Sequence, residues 1–323
     1  MWLQSLQNSN KECIQIMLKR ISCLALSLVL LLGVLVQQVT AMEGSDVPEQ
    51  PTAVEESAVS EQPATAEDED PIALDEQTET PEGPFVLVDG VVIEDASPSV
   101  YEQTTYVSLR SVAMALRPDA VVTWEGDHAA VTAEGLTITI YPGKCYFVAN
   151  GRYLYLPHGV RFENNNTMLP VRVLAQALGA QVRWDVNDGN IYISSGTGAI
   201  VSGDAYYDAD CVYWLSHIIF AESGNQPLNG KIGVGNVILN RVKSPVFPNT
   251  IYEVIFQNNQ FTPARNGSIY KEPNAESVIA AKLCLDGAVV LPNALWFNRA
   301  GCSSWASRNK SYIATIGAHS FYA

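Results

Sequence analysis

The chain has 323 residues and a formal net charge of −15, with 34 Asp and Glu against 19 Lys and Arg. A chain of this length has room for two or three domains. Most of the negative charge lies in residues 42–83, which hold 14 acidic side chains and no basic one. Because no basic patch is left elsewhere, nucleic-acid binding is excluded as a function.

The N-terminus has the pattern of a secretory signal peptide. Lys19 and Arg20 precede an apolar run from Ile21 to Val36, and small residues follow at Val39–Ala41. This order of charge, apolar run and small residues is typical of a cleaved export signal. We predict a signal peptide over residues 1–41. An uncleaved anchor is the alternative, although the run is shorter than the roughly 20 residues of a spanning helix.

The acidic stretch that follows is rich in Pro, Thr, Ala and Ser. Such a segment buries too little apolar surface to offset the entropy lost on folding, and its like charges repel one another. We therefore predict a disordered linker over residues 42–84.

Export makes disulfides permissible among the cysteines beyond the signal. Of Cys145, Cys211, Cys284 and Cys302, we favour pairing of Cys284 with Cys302. Free buried thiols are the alternative, since cysteine also behaves as a small hydrophobic residue. No Cys and His spacing resembles a zinc site, and the sequence predicts no metal and no cofactor.

Residues 85–197 contain an internal repeat. The segment Thr105–Leu116 aligns with Thr167–Leu178 at an offset of 62 residues, and Trp124 then matches Trp184 with a two-residue difference. In each copy, the residue pattern predicts an extended segment, then a short amphipathic helix and two strands. We predict a small α+β domain of two similar units. It resembles the N-terminal domain of copper amine oxidases, which also occurs as a stalk in secreted bacterial proteins.

The resemblance does not imply copper binding, because the histidines of this region lack ligand spacing. Arg110 and Arg172 occupy equivalent places in the two copies, which favours a structural pairing with the chain over binding of a wall anion. Alternating aromatic residues at Tyr146, Tyr153 and Tyr155 offer faces for sugars. Strand patterning is the simpler interpretation.

From residue 205 onwards the pattern becomes helical. Asp208 or Asp210 can cap a helix with a buried stripe that extends to Glu222; the stripe consists of Cys211, Leu215, Ile218 and Ile219. Burial and the negative end of the helix dipole both disfavour a carboxylate there, so we predict a raised pKa for Glu222. A raised pKa suits a general acid near neutral pH. A local capping or pairing role is the alternative.

Further helices and strands follow. Pro227 opens a helix from Leu228 to Lys243, in which Gly233 and Gly235 indicate close approach of a neighbouring backbone. Two more helices are predicted, at Ile251–Phe256 and from Asn274 to Leu285. Two extended segments, Leu295–Gly301 and Ile313–Tyr322, are predicted to pair at the end of the domain.

The motifs of this region resemble the spore cortex-lytic (SleB-type) cell wall hydrolase family. They are Ile219-Phe-Ala-Glu222-Ser-Gly, Gly233-Val-Gly-Asn-Val-Ile-Leu-Asn-Arg-Val, Phe247-Pro-Asn-Thr-Ile, Gln260-Phe-Thr, Leu295-Trp-Phe-Asn and Thr315-Ile-Gly-Ala-His-Ser-Phe-Tyr. The resemblance implies a mainly helical, lysozyme-like domain over residues 205–323 that cuts peptidoglycan glycan strands. It implies that Glu222 is the catalytic residue.

Six residues of this region are predicted substrate contacts. Gln260 and Asn298 are amides that can hold the N-acetyl group or sugar hydroxyls, or else stabilise turns. Trp296 and Tyr322 can stack on sugars or belong to the core. The remaining predicted contacts are Phe261, from its motif, and His319, which is otherwise a structural histidine.

The other carboxylates of this region, Glu253, Glu272, Glu276 and Asp286, fall on predicted helix faces or a loop. A pair of carboxylates is usual in retaining and inverting glycosidases, so a single acid favours a lytic transglycosylase. A water-using muramidase or glucosaminidase and a noncatalytic wall-binding protein are the alternatives.

We expect a secreted monomer at the cell wall or spore cortex, without membrane attachment after signal cleavage. Its partner is the peptidoglycan glycan strand. We also expect residues 205–323 to fold independently of the stalk.

Overall fold

The computed structural model describes residues 84–196 and 198–323. The predicted signal peptide and nearly all of the predicted linker lie outside these residues. Within the described ranges, no helix is both long and apolar enough to cross a membrane.

Residues 86–194 are mainly strands, with two short α-helices and one 3-10 helix (Glu94–Ala96). The strands are β1 (Val86–Val88), β2 (Val91–Val92), β3 (Ser99–Tyr101), β4 (Thr104–Ser108), β5 (Val121–Glu125), β6 (His128–Ala133), β7 (Leu136–Ile140), β8 (Tyr146–Ala149), β9 (Arg152–Tyr155), β10 (Arg161–Glu163), β11 (Asn166–Pro170), β12 (Gln181–Trp184) and β13 (Ile191–Ser194). The helices are α1 (Leu109–Leu116) and α2 (Val171–Ala177). Ser108 caps α1, because its hydroxyl accepts a hydrogen bond from the backbone of Ser111.

These strands form three sheets. Strands β5 to β9 make an antiparallel meander, β10-β11-β4-β3 make a second sheet, and β12-β13-β1-β2 a third. In β7, Leu136, Ile138 and Ile140 point into the core while the residues between them do not, as the two-residue period of a strand requires. Strands β4 and β11 pair with Val107 opposite Leu169. These two residues are equivalent in the internal repeat.

The C-terminal part contains seven α-helices, one 3-10 helix (Ser268–Tyr270) and three strands within residues 203–323. The helices are α3 (Gly203–Tyr206), α4 (Ala209–Ser223), α5 (Leu228–Lys243), α6 (Ile251–Phe256), α7 (Thr262–Asn266), α8 (Ala275–Leu285) and α9 (Trp305–Asn309). The strands are β14 (Trp296–Arg299), β15 (Tyr312–Ile316) and β16 (His319–Tyr322), in the order β14-β16-β15. The mixed α and β content predicted from the sequence is confirmed. The predicted closing pair of segments is in fact three strands, because the second segment folds into a hairpin.

Helices α4, α5 and α8 surround a core separate from that of the strand-rich part. Asp208, Thr250 and Asn274 cap α4, α6 and α8 through their side chains. A Cβ atom added at Gly235 of α5 would lie 2.6 Å from the sulfur of Cys284 and 3.1 Å from Cδ1 of Ile219. The prediction of a neighbouring backbone here is therefore wrong, since the glycine accommodates side chains.

Cys145, Cys284 and Cys302 are free thiols. The predicted bridge between Cys284 and Cys302 is wrong. Cys284 is buried on α8 against α5, where its thiol donates to the carbonyl of Ile232 at 3.6 Å. Cys302 is exposed in the turn after β14. Burial raises the pKa of the Cys284 thiol.

A buried ion pair joins the strand-rich part to the helical part. Arg152 on β9 donates from Nε to Asp286, just after α8, at 2.9 Å, and its Nη2 bonds the other carboxylate oxygen. The hydroxyl of Tyr207 donates to the same carboxylate at 2.9 Å and accepts from the backbone of Tyr153 at 3.0 Å. The guanidinium of Arg152 also lies 3.5 Å above the ring of Tyr206.

The aromatic residues of β8 and β9 belong to the same contact. Tyr146, Tyr153 and Tyr155 pack against the helical core, and the hydroxyl of Tyr155 donates to Asn229 at 3.1 Å. The alternation of these strands thus places one face against the stalk's own core and the other against the helices. Contact with the helical part accounts for these rings without a sugar.

Candidate active site

A cleft of about 410 Å³ opens at the C-terminal end of α4, beside α7. Glu222 lies in its wall. The other polar lining residues are Arg241, Gln260, Thr262, Asn266 and Ser268. The apolar lining is provided by Ala221, Phe261, Pro263 and Phe297. The cleft thus brings one carboxylate together with hydroxyl, amide and guanidinium groups.

The amphipathic pattern of α4 determines the position of Glu222. The stripe from Cys211 through Ile219 is buried, and Glu222 follows it three residues later, half-buried in the last turn. Burial raises the pKa of this carboxyl. Among the described residues, its carboxylate has neither a hydrogen-bond donor nor an ion-pair partner. A carboxyl in such a place keeps its proton to a higher pH than an exposed one.

Ser223, beside it, does not bond the carboxylate. Its buried hydroxyl donates to the carbonyl of Ile219 at 2.7 Å. Ser223 therefore satisfies the end of the helix.

The other candidate carboxylates have different surroundings. Glu253 accepts from the hydroxyl of Thr250 at the start of α6, and Glu276 pairs with the buried Lys231. Glu272 is exposed in the loop before α8, and Asp286 forms the ion pair with Arg152. Among the described residues, Glu222 is the only carboxylate that lines this cleft.

Arg241 is a buried cation in the cleft wall, and it was not among the predicted site residues. Its Nε donates to the carbonyl of Leu295 at 2.8 Å and its Nη1 to Oε1 of Gln260 at 3.0 Å. Its guanidinium lies 5.1 Å from the ring centre of Phe261. Burial lowers its pKa to about 10, so it remains charged at neutral pH. No carboxylate pairs with it among the residues that the structure describes.

Gln260 and Phe261 also line the cleft, and Arg241 orients the Gln260 amide. The other four predicted contacts, Trp296, Asn298, His319 and Tyr322, lie on β14 and β16 and are not among the cleft-lining residues. Phe297, between two of them, does line the cleft, because successive residues of a strand point to opposite faces.

Each of these four has other contacts. The ring centres of Trp296 and Trp305 are 6.1 Å apart in a tilted arrangement, and the ammonium of Lys310 lies 3.9 Å from the ring centre of Trp296. The amide of Asn298 donates to the carbonyl of Cys302 at 2.8 Å, which stabilises the turn after β14. Tyr322 is buried.

His319 packs edge-on against Phe297, 5.3 Å between ring centres. Burial lowers the pKa of His319, and its Nδ1 has no hydrogen-bond partner among the described residues. The ring is therefore a neutral neighbour of a cleft-lining side chain.

The described residues contain no cluster of His, Cys, Asp and Glu that could hold a metal ion. In this cleft, Glu222 can transfer a proton, the amides and hydroxyls can form hydrogen bonds, and Arg241 supplies a fixed positive charge.

Two family models match the chain. Residues 225–322 match the cell wall hydrolase model, and residues 87–193 match the copper amine oxidase N-terminal domain. The first match begins three residues after Glu222.

Curated relatives match the C-terminal part. The spore cortex-lytic enzyme of Bacillus cereus is 34% identical over 116 residues, which are 36% of this chain and 45% of the relative. The spore cortex-lytic enzyme of Bacillus subtilis is 33% identical over 108 residues, which are 33% of this chain and 35% of the relative. The chain thus spans less than half the length of these relatives.

A solved structure also matches, the catalytic domain of the germination-specific lytic transglycosylase SleB from Bacillus anthracis. Its identity is 32%, the match covers 36% of this chain and 97% of that one, and the TM-score is 0.34. The chain is thus similar to the cell wall hydrolase family over residues 225–322 and to copper amine oxidase N-terminal domains over residues 87–193.

Proposed function

We propose that residues 205–323 are the catalytic domain of an enzyme that cuts the glycan strands of peptidoglycan, with Glu222 as its acid. The observation that carries this proposal is the half-buried carboxyl of Glu222, which lines a polar cleft. Among the described residues, no other carboxylate lines that cleft. Its raised pKa suits proton donation to a leaving sugar oxygen. The similarity to spore cortex-lytic enzymes supports the choice of polymer.

In the proposed reaction, Glu222 protonates the glycosidic oxygen that leaves C1 of N-acetylmuramic acid. The substrate's own N-acetyl group stabilises the positive charge that develops at C1. The Glu222 carboxylate then takes the proton from the C6 hydroxyl as that oxygen bonds to C1. The product is a 1,6-anhydro sugar, and the acid is regenerated without consuming water.

The rest of the cleft would bind the sugar. Gln260, held by Arg241, and Phe261 are the proposed contacts, with the amide hydrogen-bonding the N-acetyl group and the ring packing on the sugar. Trp296, Asn298, His319 and Tyr322 stay predictions as substrate contacts.

For the whole chain, we propose an exported monomer that acts at the wall or spore cortex. Residues 1–41 would be its signal, followed by a linker, a two-repeat stalk and a lysozyme-like catalytic domain. Intact mass after export is expected to correspond to cleavage after Ala41. A mature protein that retains residues 1–41 would contradict signal cleavage.

Substitution of the acid tests the catalytic assignment. Glu222→Gln preserves size and removes the proton, so turnover of purified sacculi should fall far below a tenth of the parent rate. Retention of more than about a tenth, equivalent to roughly 1.4 kcal/mol or less of lost transition-state stabilisation, would refute the assignment. Glu272→Gln is the matched control, because Glu272 is exposed outside the cleft, and it should act like the parent.

Digestion in heavy-oxygen water distinguishes the two reaction routes. Only hydrolysis incorporates solvent oxygen at the new end, whereas attack by the C6 hydroxyl gives an unlabelled anhydro end that is lighter by one water. Mass spectrometry should show unlabelled anhydro ends. Labelled reducing ends as the main product would replace the transglycosylase by a water-using muramidase or glucosaminidase.

A further inference from the structure

The strand-rich part carries a second cleft, far from Glu222 in sequence, that the proposed mechanism does not use. Its volume is about 280 Å³, and its walls come from the start of α1, from β5 and from the hairpin of β10 and β11. We call it the α1–β5 groove, and the lining residues that matter here are Arg110, Thr123, Trp124, Asn165 and Asn166.

An exposed aromatic pair borders this groove. Trp124 is 54% exposed and Phe162, beside it, is 49% exposed, with ring centres 6.1 Å apart in an edge-on arrangement. The indole nitrogen of Trp124 donates to the carbonyl of Gly126 at 2.9 Å, so the ring is held in place with its polar atom satisfied. Adjacent large rings left in solvent mark a contact surface more often than a lone exposed residue does.

Arg110 contributes a positive charge to the same groove. It is exposed at the second position of α1, and neither it nor Arg172 forms an ion pair within the described ranges. The predicted pairing of these two arginines with the chain is therefore wrong. A cation at a helix N-terminus meets the positive end of the helix dipole, so Arg110 gains nothing from its own helix and would be stabilised by an external anion.

The polar wall completes the chemistry. Asn165 and Asn166 carry amides that both donate and accept hydrogen bonds, and Asn165 has a left-handed backbone, φ 63°, in the tight turn before β11. Aromatic faces, amides and one guanidinium together match a sugar chain that bears N-acetyl groups and carboxylates.

We propose that the α1–β5 groove is a noncatalytic binding site for peptidoglycan glycan strands. Trp124 and Phe162 would pack on the sugar, the asparagines would bond its N-acetyl or hydroxyl groups, and Arg110 would bind a lactyl or peptide carboxylate. The identity of the polymer rests on the proposed function, whereas the site rests on its own residues. Because Arg152 and Asp286 tie the stalk to the catalytic domain, a strand bound here is held close to the enzyme at a raised local concentration.

Binding is measured with the full chain carrying Glu222→Gln, so that cleavage does not remove the ligand. The affinity for purified sacculi, measured by co-sedimentation, should fall about 2- to 12-fold when Trp124→Ala is added, which is the effect of losing one aromatic contact. Trp184→Ala is the matched control, because Trp184 is the repeat-equivalent exposed indole and is outside the groove. It should leave binding unchanged.

Arg110→Gln tests the charge independently and changes only an exposed side chain. In calorimetric titration with a disaccharide that carries a stem peptide, the affinity should fall about tenfold, which corresponds to the loss of one charge-assisted hydrogen bond. Titration with chitotetraose, which has N-acetyl groups but no carboxylate, should not change. If Trp124→Ala and Arg110→Gln both bind sacculi and the disaccharide as the parent does, the proposal is wrong.

The two proposals fail separately. Absence of turnover by the chain with Glu222 intact would reject the proposed function, while binding in the groove would still be measurable. Normal turnover with groove variants that bind as the parent does would reject the groove alone.

Discussion

Replacing Arg152 by alanine should destabilise the folded chain more than any surface charge change. Both members of the ion pair are buried, with side chains 9% and 2% exposed for Arg152 and Asp286. The substitution removes two hydrogen bonds and leaves the carboxylate without its counter-ion. Of the residues that the structure describes, the hydroxyl of Tyr207 alone would still donate to it.

The magnitude follows from the uncompensated charge. Removing one partner of a buried ion pair costs about 3–5 kcal/mol in the free energy of unfolding. The remaining bond from Tyr207 places the expected loss at the lower end, about 3 kcal/mol. For a folded unit of roughly 150–250 residues, that loss lowers Tm by about 6–12 °C.

Urea denaturation of the full chain, followed by tryptophan fluorescence and circular dichroism, measures this loss. Arg183→Ala is the matched control, because Arg183 pairs with Asp185 at 60% side-chain exposure, and exposed pairs contribute about 0–1 kcal/mol. The double variant Arg152→Met with Asp286→Leu should recover much of the stability, since an apolar pair of similar volume removes the buried charge.

A loss below about 1 kcal/mol for Arg152→Ala would refute the reasoning, because it would mean that water or movement compensates the carboxylate. The isolated fragment 205–323 should be destabilised for the same reason. That fragment lacks Arg152 and uncovers the core face that Tyr146 and Tyr153 contact, so we expect it to melt at a lower temperature than the full chain.

Three further results are expected. Glu222→Gln should stabilise the fold more at pH 8 than at pH 4, because burial raises the folded-state pKa of Glu222 and the parent loses stability as pH rises from the ordinary carboxyl pKa through that raised value; equal stability of both proteins at pH 8 would contradict this. Gly235→Ala should cost about 1–3 kcal/mol in urea denaturation, because the new methyl overlaps Cys284 and Ile219, and adding Cys284→Ala should restore part of it. Iodoacetamide should modify Cys302 in the native protein but Cys284 only after unfolding, as read from peptide masses; rapid native labelling of Cys284 would contradict its burial.

Local patterns predicted the helical part well. Capping residues such as Asp208 and Asn274 act within three residues of the backbone groups they satisfy, so the sequence contains both partners. The position of Glu222 next to a buried stripe follows from the helical period alone.

Long-range contacts are the part that the sequence could not give. Arg152 and Asp286 are 134 residues apart, and neither lies in a motif that names its partner. The role of Arg241 depends on Gln260 and on the carbonyl of Leu295, which only the tertiary fold brings together. The motif Asn240-Arg241 was the one available signal for it.

Because the Glu222 carboxyl has no partner among the described residues, its acid strength depends on whether the cleft is filled. With no hydrogen bond or ion pair from the described residues to fix its protonation, its pKa is governed by how much water reaches it. A glycan that fills the cleft would exclude that water and raise the pKa further. The proton would then be held most firmly when a sugar is in place to receive it, and the empty cleft would contain a weaker base and a more readily ionised acid.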